Sequence, residues 1–221
     1  AWEWLEAYGA MNAGPAQIHG AWHGAQAAVE ARLETLIPQE RLEQLLRQTR
    51  DTMAKRPAQA LFCRGSGWGA LETLRRAHAG EPPLSPQLDF GVPGAEQAPW
   101  RALLERGAMG EYDPREPVSS WLPDARYLPL LAQAAQGAER ENWHTWLQLG
   151  AALLTQGRFA DARDALARAD SLARCAWVKY ACSCLHLMQH EPERAAVYAR
   201  QAAEAAPEDA SVLKFALRVL L

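Results

Sequence analysis

The chain has 221 residues, 49% of them hydrophobic and 22% charged, and a formal net charge of -3 at pH 7. That length suits one or two domains with enough apolar material for a core. The slightly negative balance leaves no basic footprint for nucleic acid, and no stretch reaches the ~18 apolar residues of a membrane span. The chain starts Ala-Trp-Glu-Trp with no signal-peptide pattern and no initiator methionine, as a processed product or a fragment would. Four cysteines in a chain of this size suggest no disulfide framework, so a reducing, cytoplasmic setting is expected.

In chain order, residues 2–8 read as a short helix broken at Gly9, and residues 12–20 as a turn-rich loop. Residues 25–36 place Val29, Leu33 and Leu36 on one face, Pro38 punctuates, and residues 40–54 continue with Leu42, Leu45, Leu46 and Met53 at helical spacing, predicting an αα-hairpin. A short apolar helix over 58–63 leads to Arg64-Gly65-Ser66-Gly67-Trp68-Gly69, and a helix over 70–78 buries Leu71 and Leu74. Residues 81–99 hold Pro82, Pro83, Pro86, Pro93 and Pro99, which forbid a long helix. One more short helix covers 100–107, a second irregular stretch covers 109–123, and helices resume to the end. Strand alternation is absent throughout, and irregular segments of that length tend to be functional or to pack across a surface.

The glycine cluster at 65–69 permits a sharp turn and close backbone approach. Its spacing is not that of a dinucleotide loop, no Lys-Ser/Thr follows it, and Arg64 spoils a G-x-S-x-G elbow. One reading is a helix corner anchored by Trp68. The other is a contact loop in which Arg64, Gly65, Gly67, Trp68 and Glu72, with Trp100 and Trp121, face a partner or ligand, since Trp and Arg are enriched at binding hot spots.

Between Trp146 and Pro207 a pattern of about 33 residues runs through two copies. The first reads W-x-x-L-G-x-x-L-x-x-x-G-x-F-x-x-A-x-x-x-L-x-x-A, carried by Trp146, Leu149, Gly150, Leu153, Gly157, Phe159, Ala162, Leu166 and Ala169. The small residues Gly150 and Ala162 allow two antiparallel helices to approach, and Gly157 permits the tight turn between them. The second copy keeps Ala195, Ala199, Ala202 and Pro207, but Cys182 and Ser183 stand for the Leu-Gly pair and His190-Glu191-Pro192 for the glycine turn. Residues 211–221 then form an amphipathic helix, a cap or the start of a third copy.

The first copy resembles the tetratricopeptide (TPR) repeat. The resemblance implies an all-α chain of antiparallel helical hairpins wound as a right-handed superhelix, built for binding and not for chemistry. By alignment its groove positions are Leu147, Ala151 and Leu154 in the first copy and Tyr180, Cys184 and Leu187 in the second, without the Lys and Asn clamp of TPR domains that grip a peptide carboxylate. An apolar groove of this kind is expected to be covered, by the helix around residues 128–135 or by another domain. Residues 1–137 are expected to form an irregular helical extension with long Pro/Gly-rich loops, and 138–221 two TPR-like repeats plus a capping helix.

A wider resemblance rests on Trp4-Leu5-Glu6-Ala7-Tyr8-Gly9, on Gly65 to Glu72, and on Glu141-Asn142-Trp143. It is similar to the C-terminal region of bacterial proteins of unknown function in which a mutarotase-like β-sandwich precedes TPR repeats, and it implies no catalytic residue here. The function expected is therefore an interaction or scaffold module, not an enzyme and without a cofactor. Its partner would be a preceding domain of its own polypeptide or another protein. Two rivals stand beside it. A carbohydrate-binding or glycosidase-associated fragment would show a pocket near Trp68, Trp100 or Trp121, and a metal module would use Cys175, Cys182, Cys184, His186 and His190. His19 and His23, flanking Trp22, assemble with no catalytic partner.

Overall fold

A computed structural model describes residues 67–81, 92–118, 120–122, 124–137 and 141–221, together with Glu40, Arg41, Gln44 and Arg47. Those four isolated positions are helical and exposed, as expected for the 40–54 segment. The hairpin partner over 25–36, the 58–63 helix, the first twenty residues, Cys63, Arg64 and Gly65 lie outside the described residues. Among the described residues all regular structure is helical, and no helix is long and apolar enough to cross a membrane.

The chain divides into two compact units, residues 1–101 and 102–221. The first contains helix α1 (Trp68–Ala79), and the boundary falls within α2 (Ala98–Arg106). In the second unit a 3-10 turn (Ala125–Tyr127) opens α3 (Leu128–Gly137). Then come α4 (Trp143–Thr155), α5 (Phe159–Leu172), α6 (Ala176–Met188), α7 (Pro192–Ala205) and α8 (Ala210–Leu220). Each helix from α3 onward packs against its successor. The connections α4–α5, α5–α6 and α6–α7 have three residues each, so these helices run antiparallel as two hairpins, α4/α5 and α6/α7. Helix α6 begins 33 positions after α4, and α7 33 positions after α5, which is the spacing of the sequence pattern.

Local chemistry sets the helix ends. Asn142 caps α4, its side-chain oxygen accepting from the His144 amide at 2.9 Å, and Asp209 caps α8 by accepting from Ser211 and Val212. At the C-terminus of α4, Arg158 N–H donates to Leu153 O and Gly157 N–H to Leu154 O, a Schellman closure with Gly157 at φ +70°. The second hairpin closes identically: Glu191 N–H donates to His186 O and His190 N–H to Leu187 O, with His190 at φ +58°. The glycine turn missing from the sequence is therefore present in the backbone, made by a histidine that bears the left-handed strain.

The lost Leu-Gly pair has a similar explanation. A Cβ on Gly150 would stand 2.7 Å from Leu166 Cγ and Cδ2, so the α4/α5 contact needs a hydrogen there. In the second hairpin the residue at the Leu166 position is Ala199, and the space it vacates takes the buried Ser183, whose hydroxyl donates to Ala195 O at 2.8 Å. The two hairpins solve one close approach with opposite distributions of volume. Ala162, Ala169, Ala195, Ala199 and Ala202 are each 0% exposed, as the stripe of small residues requires.

Candidate functional site

In the first unit, Gly67 precedes α1, and a Cβ there would meet Val92 O at 2.7 Å and Pro93 Cα at 2.9 Å. Gln97, itself buried, turns its Oε1 to accept from Gly94 N–H at 2.7 Å and closes this corner. Trp68 is 8% exposed and Trp100 0%, so neither ring offers a face to a sugar. Glu72 is buried too. It accepts from Arg75 Nε at 2.9 Å and from Arg76 Nε at 3.0 Å, while Arg75 also bonds Glu81. Hydrogen bonds that Arg75 donates to Glu81 and then to Glu72 hold its buried guanidinium charged, well above its ordinary pKa. Glu72 is thus engaged inside its own unit.

The second unit gathers a different set of residues. His144, Leu147, Gln148 and Ala151 fall at i, i+3, i+4 and i+7 on α4 and share a face. Across that face runs the irregular segment beginning at Met109. Asn142 Nδ2 donates to Met109 O at 3.2 Å and Gly110 O at 2.8 Å, Trp143 Nε1 to Tyr112 O at 3.0 Å, and Gln148 Nε2 to Ser120 O at 2.8 Å. The Tyr112 ring stacks on His144 with centroids 4.6 Å apart, and its hydroxyl donates to Pro117 O. Farther along, Trp121 meets Trp177 and Tyr180 of α6 at 6.2 and 6.3 Å, and Tyr180 continues to Phe215 of α8 at 4.0 Å. Met109, Val118, Ser120 and Leu122 are buried in this contact region, each large apolar side chain contributing about 2 kcal/mol by leaving water.

The repeat-groove positions are thereby placed. Leu147 and Leu154 are buried, Ala151, Tyr180 and Cys184 half-buried, and Leu187 is 39% exposed. Of the two expected sources, the helix expected around residues 128–135 is α3, and it packs on α4; not expected is the chain's own 109–122 segment, which is gripped through its backbone carbonyls and lies on the α4 and α6 side chains. Sequence reasoning missed Asn142, His144 and Gln148. Asn142 could be read as a cap, but nothing local marks the other two as receivers of a segment some thirty residues upstream.

His144 is neutral here, since burial lowers its pKa to about 4. Gln148 must present its amide nitrogen to Ser120 O, so His144 accepts at Nε2 (3.2 Å) and carries its proton on Nδ1. His144 Nδ1, Gln148 Oε1 and Trp146 Nε1 are buried and bond no described residue. Burial likewise pushes the Cys182 and Cys184 thiols up to about 12, removing thiolate reactivity at neutral pH. Among the described residues no three His, Cys, Asp or Glu side chains converge as a metal site would need. Comparison with family models, curated proteins and solved structures finds no match for this chain.

Proposed function

We propose that this chain is an interaction and scaffold module of TPR type, one part of a larger bacterial protein, whose A-helix face docks an extended segment of its own polypeptide. The observation that carries the reading is the way α4 holds residues 109–122: the carbonyls of Met109, Gly110, Tyr112 and Ser120 accept from Asn142, Trp143 and Gln148. Backbone carbonyls read by side-chain donors, with aromatic rings seated between them, are the means by which a groove binds an extended peptide. Occupation in cis leaves this face with no vacancy for a free peptide. The module then works on its own chain first and meets partners elsewhere. No catalytic step is assigned to it.

The test weakens the cis contact and supplies the segment in trans. Tyr112→Ala/Trp121→Ala in the full chain loosens the segment's two aromatic anchors, and a labelled peptide with the sequence of residues 108–123 is then titrated by anisotropy. The variant should bind the peptide at least about tenfold more tightly than the unaltered chain, the equivalent of ~1.4 kcal/mol. A variant of unchanged helical content that binds no better would show the segment to be ordinary core and would end the reading.

A further inference from the structure

At three positions of one helix the second hairpin carries ionisable residues where the first is apolar. Thirty-three positions after Trp146, Leu149 and Leu153 stand Lys179, Cys182 and His186. All three line one cleft of about 590 Å³ between α5, α6 and α7. Replacing tryptophan and leucine by lysine and histidine at helix-packing positions costs stability unless the charges find partners. Such local violations of an otherwise consistent pattern are expected where function is paid for elsewhere in the fold.

The charges on this cleft are arranged around carboxylates. Lys179 Nζ is 2.8 Å from Asp170 and 5.7 Å from the Tyr198 ring centroid. His186 Nδ1 lies 2.7 Å from Glu191 Oε2 and its ring stacks on Tyr198, while Arg194 Nη1 reaches the same Glu191 oxygen at 3.2 Å. Arg163, on the opposite wall, donates only to the uncharged Gln189 amide at 3.1 Å and forms no ion pair with a described residue. Arg163, Lys179 and Arg194 thus outnumber Asp170 and Glu191 by one, on a chain whose net charge is -3. The cations come from three different helices, which suits carboxylates spaced along a chain better than one compact anion needing convergent donors. Val197, 51% exposed, adds an apolar wall beside them.

We propose that this cleft docks an acidic, partly apolar segment of a partner protein, its carboxylates seated on Arg163, Lys179 and Arg194 and an apolar side chain against Val197. The proposal gives the module a partner surface apart from its A-helix face, and so rests on reading the hairpins as an interaction module. Charge complementarity of this kind sets specificity and association rate, and it weakens with salt.

The test uses the full chain and a fluorescein-labelled peptide of Glu, Leu and Ser, with the same peptide carrying Gln for Glu as its neutral counterpart. At about 50 mM salt the acidic peptide should bind at least about tenfold more tightly than the neutral one. Arg163→Glu should weaken it at least about fivefold with unchanged unfolding by urea, while Arg200→Glu, an exposed charge reversal on α7 outside the cleft, should leave it within about twofold. Equal binding of the two peptides, or equal losses from the two reversals, would overturn the proposal. Displacement of the peptide by inorganic phosphate at low millimolar concentration would overturn it as well, in favour of a small-anion site. Neither reversal touches the contacts of residues 109–122, so failure here and failure of the trans-peptide experiment are separate results.

Discussion

Gly150 and Leu166 are a size pair, and the second hairpin supplies its inverse in Ser183 and Ala199. Placing serine at 150 alone sets a Cβ 2.7 Å from Leu166 Cγ and Cδ2, where Leu166 is 1% exposed. Overpacking of that kind costs about 1–3 kcal/mol, less about 0.5 kcal/mol because serine is a better helix former than glycine. Leu166→Ala alone removes most of a buried side chain and costs about 2–5 kcal/mol. In Gly150→Ser/Leu166→Ala the clash is gone and the hydroxymethyl group fills part of the void. Its Oγ is then placed to donate to Ala162 O as Ser183 Oγ does to Ala195 O, which returns about 1 kcal/mol. The double variant should be about 2 kcal/mol more stable than the sum of the two single changes predicts. Urea unfolding of the four proteins, followed by far-UV circular dichroism, measures this directly. Single and double changes that add to within about 0.5 kcal/mol would refute the volume exchange as the reason the second copy lost its glycine.

Two further outcomes follow from the same geometry. His144 titrates near 4 when folded against 6.5 unfolded, so the unfolded state binds the extra proton between those values and stability falls as pH drops through that window. By pH 4.5 the loss should reach about 2–3 kcal/mol relative to pH 7.5, and His144→Phe, which keeps a ring against Tyr112, should lose at least about 2 kcal/mol less in a paired urea titration. At the two hairpin turns, His190→Gly should stabilise the chain by about 1 kcal/mol and Gly157→Ala should destabilise it by a similar amount. Thermal midpoints that move in the same direction for both would contradict the shared left-handed turn.

Much of the helical architecture was legible in the chain. Trp146, Leu149 and Leu153 on one side of the Gly157 turn, and Phe159, Ala162 and Leu166 on the other, predict α4 and α5 because helical periodicity and turn chemistry are local properties. The same holds for α1, α2 and α8, which lie within two residues of their expected bounds. The degenerate second copy was harder to read, since its turn is made by His190 in a backbone state that histidine seldom adopts, and its close approach depends on Ala199, sixteen positions after Ser183. Trp68 and Glu72 admit both a corner reading and a contact-loop reading, because side-chain type alone does not say which way a residue faces.

What the sequence determined alone is the succession of helices, the Gly157 turn and the small-residue stripe that lets them pair, all encoded within a few residues of where they act. Tertiary structure decided that the 109–122 segment lies on α4 and α6, and that Lys179, Cys182 and His186 share a cleft with Arg163 and Arg194. Those juxtapositions join residues far apart in sequence, and their energies come from burial and hydrogen bonds between side chains and distant backbone, for which no local pattern exists to be read.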